Sequence, residues 1–291
     1  MNINVLKVNA FTDSPHGGNP AGVVLDSPDL TDKQMKQISK QLNVSETAFV
    51  FPSDVADVKV KFFSPTVEVN LCGHATIATF FVMALKGTFS KKKKYIITQE
   101  TKAGILPVTM YYTDYKTIDR VMMTQNNSIY RDIYFDISLV ADSLNIDLQD
   151  IDDSLPKQMV STGLFTIPIC IQSFDVLKNM KPDFKKIKNI CEKFGAGSFH
   201  VFTFETKEPD SVYHARNFAP VYGVNEDPVT GTANGAVSSY LLHHKIIKNK
   251  NLICEQGDII GRPGRVFVEI KDKTVQVGGK ATIALEKELK V

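Results

Sequence analysis

The sequence predicts a mixed α/β protein of two related halves, each a curved sheet wrapped around one very apolar helix. Three observations predict it. Strand-like runs alternate with helical ones along the whole chain. A set of sequence marks recurs at a displacement of about 150 positions. Each half also holds one segment without a charged side chain, Ala75 to Leu85 and its counterpart in "GTANGAVSSYLL". A helix that apolar must be covered nearly all round, and a rolled sheet covers it.

The elements follow in order. The start, "MNINVLKVNAFTD", alternates Ile3 and Val5 and reads as a strand. Thr31 opens a helix, with Gln34 three residues on as a capping box wants, and Met35, Ile38 and Leu42 recur at helical spacing. Strand-like "TAFVF" (Thr47 to Phe51) and "VKVKFF" (Val58 to Phe63) follow, then Ser64-Pro65, a short "VEV", and the apolar helix entered through "NLCGHAT". Polar and turn residues between Asp114 and Ser128 mark a linker.

The second half repeats the first. Ile187, Ile190 and Phe194 stand 152 positions after Met35, Ile38 and Leu42. "HVFTF" takes the place of "TAFVF", and Phe218-Ala219-Pro220 stands 155 positions after Phe63-Ser64-Pro65. Gly231-Thr232-Ala233 then lines up with Gly73-His74-Ala75. A period this long suits two related domains rather than a solenoid. "RVFVEI" and "TVQVGG" read as the last strands of that half, and "KATIALEKELKV" is expected to rejoin the first. The expected domains are residues 1–118 together with 277–291, and residues 119–276.

Composition narrows the function. The chain has 291 residues, 43% hydrophobic and 23% charged, as in ordinary globular proteins. Its 34 basic and 32 acidic residues leave a net charge of +2, which does not suggest a nucleic-acid partner. The run Lys91-Lys92-Lys93-Lys94 reads as a solvated loop. Cys72, Cys170, Cys191 and Cys254 form no CxxC pair, which argues against a disulfide scaffold and a zinc site and fits a reducing compartment. His243 and His244 are adjacent and cannot chelate one ion as an i,i+4 pair can. The start lacks a signal-peptide pattern, and the apolar run is too short to span a bilayer. A cytoplasmic protein without membrane association is expected.

The two helix starts carry the chemical interest. A helix N-terminus offers backbone N–H groups without intrahelical partners and a partial positive charge, so it binds carboxylates readily. A glycine there admits a ligand close to the backbone. Two related domains facing one another would bring both starts to one small anion in the cleft between them. His74 offers an imidazole for acid–base chemistry, or serves as a structural cap. Asp227 before Pro228 can bond a substrate group, or form an ordinary turn. Thr232 adds a hydroxyl. Glu46 lies between a loop serine, Ser45, and an apolar strand; an apolar surface raises a carboxyl pKa and makes it a better acid–base group, whereas an exposed Glu here would do nothing. Cys72 fits a small core residue as well as a nucleophile.

At this point the stretches "FTDSPHGGNPAGVVL", "SETAFV", "FFSPTVEVNLCGHAT", "STGLFTIPI", "NFAPVYGVNEDPVTGTANG" and "GDIIGRPGRV" resemble, in order, the phenazine-biosynthesis PhzF family. The resemblance implies the diaminopimelate epimerase-like fold: two pseudo-symmetric domains, each a strongly twisted, mostly antiparallel sheet rolled around a central helix. It also implies a homodimer and an isomerase that needs no metal or cofactor. In that family a glutamate moves a proton on a conjugated acid; the matching position is Glu46. Other active-site positions match His74, Asp227 and Thr232, where the family often has Ser. Gly18, Asn19, Ser45, Gly73 and Gly231 are expected to line the same cleft, around a small carboxylate-bearing substrate. Two-thiol racemases carry a second cysteine where "DPVTGTANGA" has none. A racemase or epimerase using Glu46 and Cys72, and a non-catalytic binder of small acids, are the alternatives.

Overall fold

The structure is a computed structural model that describes residues 2–27, 29–88, 92–114 and 116–290. Lys91 of the basic run, and residue 115 of the expected linker, lie outside the described residues; Lys92, Lys93 and Lys94 are exposed. The chain forms two compact units, Met1–Thr124 with Gly278–Val291, and Gln125–Val277.

The first unit contains β1 (Asn2–Ala10), β2 (Asn19–Val24), α1 (Asp32–Leu42), β3 (Thr47–Phe51), β4 (Val58–Phe63), β5 (Glu68–Val69), α2 (Gly73–Leu85), β6 (Lys94–Thr101), β7 (Gly104–Tyr112) and β8 (Ile118–Thr124). The second contains β9 (Ile129–Asp132), α3 (Ile137–Leu144), β10 (Gln158–Ser161), β11 (Phe165–Cys170), α4 (Phe174–Asn179), α5 (Phe184–Phe194), β12 (Ser198–Thr203), β13 (Tyr213–Ala219), β14 (Val224–Asp227), α6 (Gly231–His243), β15 (Asn251–Gln256) and β16 (Gly264–Lys271). The chain returns through β17 (Thr274–Gly279) to β18 (Ala281–Lys290), which pairs antiparallel with β1.

Each unit repeats the other's ladder. In the first, β1 pairs antiparallel with β2, β2 parallel with β3, β3 antiparallel with β4, and β4 parallel with β6. In the second, β10, β11, β12, β13 and β15 follow the same order with the same senses. The flanking pairs agree as well: β9 lies against β10 as β18 lies against β1, and β14 against β13 as β5 against β4. The recurring marks in the sequence are thus a recurring strand order.

Each sheet encloses its apolar helix. The helix α2 packs on β1, β2, β3, β7, β8 and β18, and every residue from Ala75 to Ala84 is buried. In the second unit α6 packs on β10, β11, β12 and β16, with Ala233 to Leu241 buried. Thr76 and Thr79 fit inside because their hydroxyls donate to the carbonyls four residues back, Cys72 and Ala75, leaving methyl groups outward. The amphipathic helix α1 covers an outer face. Thr31 caps it in a complete capping box with Gln34, and Met35, Ile38 and Leu42 are buried.

The expected linker is partly strand. Ile118 to Thr124 form β8, because Val121, Met122 and Met123 are buried between its half-exposed polar residues. Among the described residues no helix is long and apolar enough to cross a membrane.

A buried histidine makes the second unit sensitive to acid. His200 of β12 is wholly buried, with Nδ1 3.2 Å from the Asn217 side-chain oxygen. Burial pushes its imidazole from 6.5 down to about 4, against a smaller upward pull from Asn217. The unfolded chain therefore takes up a proton where the folded one does not. The contribution to stability is present above pH 6.5 and lost as the pH falls toward 4, by about 3 kcal/mol. Urea unfolding of wild type and His200→Gln across that interval should show the wild type losing stability more steeply. Equal slopes would show that His200 is not held neutral.

Candidate active site

Backbone pairing sets Glu46 in place. The helix α1 ends on Asn43, whose φ of 50° turns the chain out of the helix. The short run Val44-Ser45-Glu46 then leads into β3. The Gly22 amide of β2 donates to the Glu46 carbonyl at 3.0 Å, as the first rung of the parallel β2–β3 ladder. A side chain on Gly22 would reach Thr47 Oγ1 at 2.4 Å and Leu42 at 2.7 Å, so glycine is needed for this close approach. Glu46 is thereby fixed at the end of an otherwise buried strand.

The entry to α2 supplies the rest. Cys72 is the N-cap residue and gives no side-chain cap, so the first-turn N–H groups keep no intrahelical or capping partner from it. Cys72, only 8% exposed, turns its thiol toward the Glu46 carboxylate, with Sγ 3.7 Å from Oε2. The His74 ring lies against both. Its Nε2 is 3.4 Å from Glu46 Oε2 and 3.4 Å from Ser45 Oγ, and its Nδ1 is 3.4 Å from Cys72 Sγ. A Cβ at Gly73 would meet nothing within 4 Å, so the backbone there is open to a ligand.

The group comprises a carboxylate, an imidazole and a thiol in mutual contact, with the Ser45 hydroxyl against the imidazole and the His74 and Glu46 side chains 13% and 24% exposed. At 3.4 Å the Glu46–His74 contact is longer than a formed N–H···O bond, so neither group is locked to the other. Such an acid can take or give a proton at a guest beside it while the imidazole balances the charge. Gly18 and Asn19 lie at the start of β2, both buried. Gly18 has φ 66°, and a Cβ there would meet the Ala10 carbonyl at 2.2 Å, so only glycine fits that turn.

Asp227, Gly231 and Thr232 lie in the second unit, at the start of α6. The Thr230 hydroxyl donates to Asp227 Oδ2 and so does not cap the helix it precedes. Gln256 clamps the turn. Its amide donates to the Asp227 carbonyl at 2.8 Å and its oxygen accepts from the Thr230 amide at 3.0 Å. Asn234 also donates to Gln256 Oε1, at 2.7 Å. The Thr232 carbonyl accepts from the Thr162 hydroxyl at 3.2 Å. Asp227 thus forms the turn that leads into α6.

Sequence reasoning missed Gln256 and Asn234 as supports of that turn. No local signal marks Gln256, because it meets Asp227 only through the β13–β15 pairing and lies 29 positions away. Cys72 was visible in "LCGHAT", but its contact with Glu46 was not.

Comparisons with known proteins agree with this architecture. The family model described as "Phenazine biosynthesis-like protein", PhzC-PhzF, matches residues 8–287. The chain is 39% identical over 269 residues to a Bacillus subtilis protein named "Uncharacterized isomerase YfhB", covering 92% of this chain and 90% of that one. It is 36% identical to a protein named as an uncharacterized isomerase in Clostridium acetobutylicum, covering 98% and 97%. A crystal structure of the Bacillus anthracis phenazine biosynthesis protein of the PhzF family superposes with a TM-score of 0.91 at 33% identity, covering all of both chains.

Proposed function

The chain belongs to the PhzC-PhzF family of phenazine biosynthesis-like proteins and is an isomerase, and from that premise we propose that Glu46 carries a proton between two carbons of a small carboxylate-bearing substrate. The observation that carries the reading is the contact of the Glu46 carboxylate with His74 and Cys72 at the uncapped start of α2. In this reading Glu46 removes a proton from carbon and returns it elsewhere on the substrate. His74 and Ser45 stabilise the charge left behind. The N–H groups at Gly73 bind a substrate oxygen, as an oxyanion hole does. Gly18 and Asn19 line the site. Asp227, Gly231 and Thr232 keep the role that the resemblance gives them, orienting the substrate. The protein works as a cytoplasmic homodimer, without a cofactor.

One observation bears on racemisation. Two bases that serve opposite faces of one carbon must stand about 6–7 Å apart, since each approaches it to about 3–3.5 Å. Glu46 and Cys72 touch at 3.7 Å and lie on one side of any guest. Cys72→Ala should therefore keep most of the proton transfer.

A thermal-shift screen of small carboxylic acids, followed by proton NMR of each hit with enzyme in D2O, tests the reading. A binder stabilises the folded state by mass action. At least one acid should both raise Tm and exchange a carbon-bound proton, with wild type and Cys72→Ala alike. If every stabilising acid keeps all its carbon-bound protons, the protein binds acids without isomerising them.

A further inference from the structure

We propose that Glu46, Cys72 and His74 form a zinc-binding site, and that a borderline-soft divalent cation held there switches the isomerase off. The inhibitory half rests on Glu46 being the proton carrier; the metal-binding half does not.

The geometry points to zinc. A tetrahedral ion with bonds of about 2.3 Å to sulfur and about 2.0–2.2 Å to nitrogen and oxygen has its ligand atoms about 3.4–3.6 Å apart. Here Cys72 Sγ and His74 Nε2 are 3.8 Å apart, His74 Nε2 and Glu46 Oε2 3.4 Å, and Glu46 Oε2 and Cys72 Sγ 3.7 Å. The three donors are spaced as the corners of one face of such a tetrahedron, and a turn of the His74 ring, whose Nδ1 is the nitrogen nearer the thiol at 3.4 Å, aims Nε2 at the shared ion. Among the described residues they form the group of His, Cys and carboxylate ligand atoms that all lie within 4.8 Å of one another.

The donor set is selective. Thiolate, imidazole and one carboxylate suit zinc, cobalt or cadmium, whereas magnesium and calcium demand a larger shell of oxygens. The site is also built to hold an ion. Gly22 fixes Glu46 through the backbone, and the buried α2 fixes the backbone of Cys72 and His74, so the turn of the imidazole is the main ordering left when metal enters. Three protein ligands leave a fourth corner for water or for the carboxylate of a substrate. The sequence hides the site because its ligands come from two segments, the end of the β3 entry loop and a Cys-x-His at a helix start.

The consequence for chemistry is direct. Glu46 cannot accept a proton through an oxygen that is bound to zinc. On binding, the Cys72 thiol loses its proton to solvent and the metal takes the thiolate, so affinity rises with pH.

Cobalt is the probe. Tag-free wild-type protein titrated with Co2+ should develop, at one equivalent, the visible bands of a tetrahedral ion and a near-ultraviolet thiolate-to-cobalt charge-transfer band. Zn2+ should bleach both and Mg2+ should not. Cys72→Ala should remove the charge-transfer band, and His74→Ala should weaken binding by more than about 10²-fold, since changing even an outer partner of a metal ligand costs about 10–100-fold. Cys170→Ala, at a buried thiol of the second unit, should leave the spectrum as it is. A spectrum that survives Cys72→Ala in a variant of unchanged Tm, or no tetrahedral spectrum in wild type, overturns the site. Saturating zinc that leaves proton exchange at its metal-free rate overturns the inhibition. The spectra need no substrate, so a wild type that binds cobalt but exchanges no proton contradicts the glutamate mechanism and leaves the metal site standing.

Discussion

Glu46→Gln should lower the turnover of any substrate by about 10²–10⁴-fold, the range that one positioned acid–base group supplies. The substitution keeps the size of the side chain and its place 3.4 Å from His74 Nε2, and removes only the ability to carry a proton. The side chain is 24% exposed and its backbone is held by the Gly22 amide, so Tm should stay nearly constant. Glu46→Asp keeps a carboxylate but draws it back by a methylene. Misplacement by about 1 Å can cost about 10²-fold, so this variant should also be slow. Steady-state rates beside thermal melts of the three proteins check it. A Gln variant within about tenfold of wild type removes Glu46 from the chemistry.

Phe80→Ala should cost about 3–5 kcal/mol and lower Tm by on the order of 10 °C. Phe80 sits in the middle of α2 at 0% exposure, inside a sheet that contributes strands on several sides. Truncation leaves a cavity that a packed sheet cannot close, so the lost transfer energy and the cavity add. Leu85 at the end of the same helix is 52% exposed, and Leu85→Ala should change stability by less than about 0.5 kcal/mol. Chemical denaturation of both variants separates the cases. A Phe80→Ala cost below about 1 kcal/mol would mean that α2 is not enclosed.

The fold was legible where one segment carries its own signal. The capping box at Thr31 and Gln34 and the stripe of Met35, Ile38 and Leu42 specify α1 locally. The two charge-free helices declared that something must surround them, and the recurring Phe-x-Pro and Gly-x-Ala marks declared that it happens twice. What stayed hidden depends on partners distant in sequence. The parallel junctions β2–β3 and β11–β12 leave no local pattern, because both flanking strands are buried on both faces. The strand β8 falls within the expected linker because Asp119 and Arg120 interrupt its apolar run. In α3 only eight residues are helical, too few for periodicity to separate helix from strand.

The candidate site was legible in part for the same reason. Glu46, His74 and Ser45 stand in motifs that resemble the family's, and the fold brings these three together. That Cys72 joins them follows from the backbone at the α2 entry, where the N-cap φ of −139° and ψ of 116° set the direction of its side chain. No spacing rule foretells that direction. Gln256 enters the Asp227 turn through tertiary pairing alone.

The most direct measurement is the loss of a carbon-bound proton signal in D2O during turnover. With Glu46 as the carrier, one C–H resonance of the substrate should fade in step with product formation under wild-type enzyme, and should persist over the same time with Glu46→Gln. A product formed with every original C–H proton in its original place, or a resonance that fades equally fast under both proteins, would contradict it.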